Sequence, residues 1–286
     1  MLLETGEGVR LLGLYSPQPE DRARGLILLL HGWLGSAYAN YIRALGEDLY
    51  AQGYAIFRLN LRDHGQTLHL NPEVFRSDRL AEVVDAAQQV AGLAAKKPFH
   101  MIGASLGGNF VLRLAWRFSQ APLPNLGHTI AINPAINPYL TTLALDRSPI
   151  YLTYFRRKWR KALRQKALLF PDLYDFSQEC AARTCLAMTE LFIRNHSPYP
   201  DARAYFDQYT VTPAMLADLR RPVTMLTSAD DPIVPVADFY PFQNVSPYLN
   251  LYIQDYGGHV GFIDIWPFRH WLNQTILSIL GTQELS

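Results

Sequence analysis

Runs of apolar residues alternate with amphipathic stretches through the first half of the chain. "GVRLLGLYS" (8–16) and "GLILLLHG" (25–32) predict strands, the second so uniformly apolar that both of its faces must be covered. Residues 38–52 place Tyr41, Leu45 and Leu49 four apart, the spacing of one helix face, and Gly53 closes the helix. "YAIFRLNLR" (54–62) is the next strand. A helix is expected over 76–95, with Leu80, Val83, Val84, Ala87 and Val90 on one side and Ser77 or Asp78 as its cap. "PFHMIGA" (98–104) reads as a strand, "LGGNFVLRLAWRF" (106–118) as a helix and "GHTIAINPA" (127–135) as a further strand. Alternation at this pace predicts an α/β class fold, a mostly parallel central sheet with helices on both faces.

The rhythm breaks at about Asn137. As far as Leu216 the sequence is helical, aromatic and basic, with no strand-like run. It resumes with strand and loop at "RPVTMLTSADDPIVP" (221–235), strand and loop at "YLNLYIQDYGGH" (248–259), and a helix over 261–281. Residues 1–136 and 217–286 therefore read as one core, and 137–216 as a helical cap inserted into it.

Composition narrows the classes. The chain is 49% hydrophobic and 18% charged, which suits a large buried core and argues against disorder. A net charge of +1 gives no general pull toward nucleic acid or acidic partners. Cys180 and Cys185, five apart on an expected helix, have no histidine or cysteine cluster around them and read as reduced, packed thiols. The N-terminal stretch has no basic-then-apolar block, and the run "GLILLL" is too short to cross a bilayer. A soluble, cytoplasmic protein is the expectation.

In open parallel sheets ligands meet the carboxyl ends of strands, so the loops there carry the candidate chemistry. "GASLGG" sets Ser105 between Gly103 and Gly107, after a strand and before a helix; this is the G-x-S-x-G nucleophile elbow. A serine hydroxyl needs a base to take its proton and an acid to orient that base. In this architecture the acid and then the histidine follow the serine along the chain. His259 in "YGGHVGF" lies in a small-residue loop directly after a strand, whereas His270 reads as a residue of the last helix. "SADDPIVP" offers two adjacent acids, Asp230 and Asp231, which leave the strand toward opposite sides, so only one can aim at the histidine. The backbone N–H of Leu106 and that of Trp33 in "HGWLG" are the candidate oxyanion donors. His31 reads as an organiser of its own loop, and Asp63-His64-Gly65 as a turn. No phosphate-binding glycine loop or H-E-x-x-H motif occurs, and no cofactor or metal is expected.

With strand–HGWLGS, strand–RDHG, strand–GASLG–helix, a helical insert, strand–DDPIVP and strand–GGHVGF, the whole chain resembles the α/β-hydrolases. "HGWLGS", "NLRDHGQT" and "GGHVGF" are similar to the YheT-like branch, whose members are mostly assigned as esterases and lipases. The resemblance implies an α/β-hydrolase fold with the triad Ser105, Asp231 and His259. Asp231 takes the place of the acid that stands three residues before a valine, here Val234. Relatives more often carry R-G-x-G after the third strand, and "RDHG" departs from that. Relatives that cut C–halogen bonds or epoxides use an aspartate nucleophile, which this chain lacks.

The expected activity is hydrolysis of carboxylic esters of apolar, short to medium acyl groups through an acyl-serine. The same triad would serve a thioesterase, a phospholipid deacylase or an alcohol acyltransferase. A catalytically silent binding module is the non-enzyme alternative. The expected ligand is a small-molecule acyl ester, and the protein a monomer or homodimer. Within the insert, residues 150–170 space Phe155, Trp159, Leu163 and Ala167 four apart, and seven lysines and arginines (156–158, 160, 161, 164, 166) are expected to cover the remaining surface without one acid. Such a helix either covers the active site as a solvated lid or makes weak peripheral contact with an anionic membrane through residues 156–166.

Overall fold

The computed structural model describes residues 1–19, 23–261, 263–265 and 268–281. In chain order the elements are β1 (Leu2–Thr5), β2 (Val9–Ser16), β3 (Gly25–Leu30), α1 (Asn40–Ala51), β4 (Tyr54–Leu59), α2 (Leu80–Leu93), β5 (Phe99–Ala104), α3 (Leu106–Gln120) and β6 (Leu126–Ile132). Six helices follow: α4 (Pro138–Arg147), α5 (Pro149–Leu169), α6 (Ser177–Ala181), α7 (Cys185–His196), α8 (Ala202–Asp207) and α9 (Pro213–Ala217). The chain then closes with β7 (Val223–Ser228), β8 (Leu249–Gln254), β9 (Ile263–Ile265), β10 (Phe268–His270) and α10 (Trp271–Gly281).

Eight strands make one sheet in the order β1-β2-β4-β3-β5-β6-β7-β8. From β4 to β8 all neighbours run parallel, while β1 and β2 are antiparallel at one edge. The apolar run of β3 shows why both faces must be covered. Leu26, Leu28 and Leu30 join the core beneath α2 and α3, and Ile27 and Leu29 join the core beneath α1 and α10. Trp159, Leu163 and Phe192 from the six helices between β6 and β7 join the first of these clusters.

Four expectations are corrected. The helix over 76–95 begins only at Leu80, and neither Ser77 nor Asp78 caps it; Asp78 instead accepts from the Arg76 guanidinium and the Tyr199 hydroxyl. The last helix begins at Trp271, so His270 ends strand β10, which pairs antiparallel with β9. Proline at position 267 lacks the N–H that a helix running through 261–281 would need. Phe262, Trp266, Pro267 and residues 282–286 lie outside the described residues. Cys180 and Cys185 are unbridged, as expected, but belong to two helices, with the Thr184 hydroxyl capping the second. Lys166 is not on the surface. It follows Trp159 and Leu163 on the inward side of α5 and is 1% exposed. Its ammonium donates to Asp63 Oδ1 (2.8 Å), Leu68 O (3.1 Å) and Asn71 O (2.6 Å), so a buried charge is fully partnered.

That ion pair also explains the departure at "RDHG". Asp63 holds φ at +59°, a conformation that glycine adopts freely and aspartate tolerates when its side chain bonds locally. Its second oxygen accepts from the Phe75 N–H at 2.8 Å. The Asp63 carboxylate therefore binds both its own loop and helix α5.

Candidate active site

Ser105 is the single residue between β5 and α3, at φ +55° and ψ −118°. The flanking glycines are required by close approach of backbone. A Cβ on Gly103 would lie 2.1 Å from the Gly107 carbonyl oxygen, and one on Gly107 would lie 2.3 Å from the Leu30 carbonyl oxygen. The Ser105 N–H donates to Ile132 O (2.8 Å), and its carbonyl accepts from Asn109 N–H (3.0 Å) and Ala135 N–H (3.2 Å). The turn is thereby fastened to β6 and α3. Gly107→Ala is expected to cost about 1–3 kcal/mol in chemical denaturation, because the obstructing atom is main chain and cannot swing aside.

His259 approaches from the loop after β8. Its Nε2 is 3.0 Å from Ser105 Oγ, and its Nδ1 is 2.8 Å from Asp231 Oδ2. The Asp231 side chain is fully buried and meets four donors. Oδ1 accepts from the N–H groups of Ile233 (2.8 Å) and Val234 (3.0 Å), and Oδ2 accepts from His259 and from Asn133 Nδ2 (2.7 Å). Asp230 faces the other way and ties down the histidine loop: its Oδ1 accepts from Gly257 N–H (2.9 Å) and Gly258 N–H (2.8 Å). The Gly258 N–H above all holds the Asp230 carboxyl below its ordinary range. Of the two adjacent acids, Asp231 is therefore the one brought to the histidine.

Asn133 is a residue that sequence reasoning passed over. It sits at φ +40° just past β6 and donates to Asp231 and to Gly258 O (3.3 Å), linking the acid to the histidine loop. Its one signal in the sequence was its place as first residue after a parallel strand. Ser228 adds a second tie to the same carbonyl, Oγ to Gly258 O at 2.8 Å.

Trp33 and Leu106 line the cavity of about 100 Å³ onto which Ser105 and His259 open. Leu106 begins α3, so its N–H has no acceptor within the helix. The loop bearing Trp33 is set from behind. His31 donates from Nδ1 to Gly32 O (2.8 Å), and its Nε2 accepts from Leu61 N–H (3.2 Å), while the Tyr41 hydroxyl accepts from Gly32 N–H (2.8 Å). Burial, together with the neighbouring His64, pushes the His31 ring down to about 3, so it is a neutral organiser. His64 is pushed down to about 4 by burial and donates to Arg62 O at 2.7 Å. The walls of the cavity are aromatic. The Trp33 ring stacks on Phe155 of α5 at 5.5 Å and meets Trp159 edge-on at 5.0 Å. Phe75, Phe192, Phe206 and Leu145 complete much of the rest.

A doubly wound sheet, a nucleophile elbow and a histidine bridging serine to aspartate are features of one class, and the chain belongs to the alpha/beta hydrolase fold family, whose model matches residues 25–264. Among curated proteins it is similar to phospholipase ABHD3 of Homo sapiens, 24% identical over 254 residues that cover 85% of this chain and 60% of that protein. It is likewise similar to YheT of Escherichia coli strain K12, 22% identical over 275 residues covering 91% of this chain and 77% of that one. The chain thus spans under two thirds of the length of the phospholipase. Among solved structures, the esterase Pf2001 of Pyrococcus furiosus superposes with a TM-score of 0.63 at 15% identity, over 99% of this chain and 91% of that one. Est1E of Butyrivibrio proteoclasticus, with ferulic acid bound, gives 0.63 at 17% identity over the full length of both. At these identities the shared feature is the fold.

Proposed function

We propose that the protein is a serine hydrolase of carboxylic esters with apolar, short to medium acyl groups. The observation that carries this reading is the unbroken chain from Ser105 Oγ through His259 to Asp231 Oδ2, with steps of 3.0 and 2.8 Å. Ser105 Oγ attacks the ester carbonyl as His259 Nε2 takes its proton, and Asp231 holds the imidazolium. The N–H groups of Trp33 and Leu106 receive the oxyanion. His259 then protonates the departing alkoxide, leaving an acyl-serine. Water, deprotonated by the same Nε2, attacks the acyl carbon, and the acid leaves as Ser105 regains its proton.

Residues 137–216 serve as the cap in this reading, with 1–136 and 217–286 as the hydrolase core. The aromatic cavity beneath α5 takes the acyl chain. A phospholipid substrate is a second reading, supported by the phospholipase name of the curated relatives.

A fluorophosphonate probe tests the reaction class. The wild-type chain is expected to be labelled and Ser105→Ala to remain unlabelled. Failure of the wild type to react would refute the hydrolase assignment and favour a silent binding module. A panel of p-nitrophenyl esters tests the cavity: kcat/KM is expected to hold or rise from acetate to hexanoate, and turnover of acetate alone would overturn the apolar acyl site.

A further inference from the structure

The outward face of α5 is built unlike an ordinary solvated helix. Ile150, Tyr154, Arg157, Lys161, Arg164 and Leu168 succeed one another at intervals of three and four residues, which puts them on a single stripe about 27 Å long. Its two ends are bare hydrocarbon: Ile150 is 80% exposed and Leu168 81% exposed. The middle is cationic, with Arg157, Lys161 and Arg164 all exposed, and α5 carries no acidic residue to neutralise them.

The stripe also borders the way in to the serine. Besides the aromatic cavity, Ser105 and His259 open on a wider pocket of about 720 Å³, whose lining includes Tyr38, Tyr154 and Lys158. Tyr38 is 54% exposed and Tyr154 50% exposed, and the Lys158 ammonium bonds the Leu34 carbonyl at 3.2 Å. Tyr154 therefore belongs to both the stripe and the pocket.

We infer that this stripe seats the protein on an anionic phospholipid bilayer. Ile150 and Leu168 enter the boundary between headgroups and acyl chains, and Arg157, Lys161 and Arg164 meet the lipid phosphates. A second copy of the chain fits less well, because apposed stripes would set cation against cation. The docked surface reaches beyond 156–166 at both ends and leaves out the buried Lys166. Seated in this way, the pocket beside Tyr154 lies close to the bilayer. That consequence, delivery of lipid esters to Ser105, rests on the hydrolase reading, whereas the docking itself does not.

Co-sedimentation of the full chain with vesicles, 30% phosphatidylserine in phosphatidylcholine against pure phosphatidylcholine, tests the docking. Binding to the anionic vesicles is expected, falling as salt is raised. Arg157→Gln/Lys161→Gln/Arg164→Gln is expected to lower the partition coefficient roughly a hundredfold, at about fivefold for each cation lost. Ile150→Ser/Leu168→Ser is expected to lower it by at least tenfold on the same vesicles. Both variants are expected to turn over soluble p-nitrophenyl butyrate as the wild type does, which reports folding and the active site separately from docking. Absence of vesicle binding, or equal binding to both vesicle types, overturns the inference. So does an unaltered partition coefficient in either variant, or a self-association that Ile150→Ser/Leu168→Ser abolishes without any binding to lipid.

Discussion

Asp231→Asn is expected to lower kcat about 10,000-fold, while Asp230→Asn changes it by less than about tenfold. The difference follows from what each carboxylate accepts. Asp231 Oδ1 receives the N–H groups of Ile233 and Val234, so an asparagine there must keep its carbonyl oxygen on that side. Its NH2 then replaces Oδ2, facing His259 Nδ1 and the Asn133 amide. The imidazole can meet an NH2 only by accepting at Nδ1, which moves its proton to Nε2 and points it at Ser105. In that tautomer the ring cannot take the serine's proton. Asp230 presents one oxygen to two glycine N–H groups, a task an amide oxygen performs as well. Steady-state kinetics of the two variants on one soluble ester is the measurement. Equal losses would show that the acid has been misassigned.

Mild acid is expected to weaken the fold between pH 6.5 and 5.5, with three buried rings contributing about 3 kcal/mol before the carboxyls that oppose them are counted. His31, His64 and His128 are buried as neutral rings, with burial lowering them to about 3, 4 and 4 respectively. In the unfolded chain each returns to about 6.5 and takes up a proton as the pH falls. The folded rings do not, so the unfolded state binds more protons and stability falls with pH throughout the interval down to about 4. The stability these rings contribute is thus complete above 6.5. Asp238 offsets part of the loss, since burial raises its carboxyl to about 6 and the folded chain gains a proton there, and burial raises the Asp63 and Glu82 carboxyls as well. Urea titrations at the two pH values read the balance. Equal midpoints would mean that the three rings are not held neutral.

Much of this fold could be read from hydrophobic pattern because its central strands are short apolar runs punctuated by glycine, proline or charge. β1 and the antiparallel pair β9 and β10 could not: four and three residues carry too little periodicity to be told from loop. At the site, Ser105 and His259 were legible because glycine-rich loops after strands have few other uses. Asp231 was separable from Asp230 only through family resemblance, since adjacent acids look alike until their hydrogen bonds are known. Asn133 and Lys166 were hidden for a different reason. Each acts through a partner about a hundred residues away, Asp231 for one and Asp63 for the other, and no local pattern marks such a pairing.

The close approach of main chain around Ser105 bears on how this protein can change. Ser105 is positioned by backbone atoms of Leu30, Gly103 and Gly107, which no exchange of side chains in the chamber would displace. The chamber itself is cut largely from side chains of the helices between β6 and β7, among them Leu145, Phe155, Trp159, Phe192 and Phe206. On the hydrolase reading proposed above, reactive centre and selectivity are thus separable inheritances. A library that varies those five positions while leaving 103–107 untouched should shift acyl preference widely before it loses reactive serine, making the insert the natural substrate for laboratory evolution.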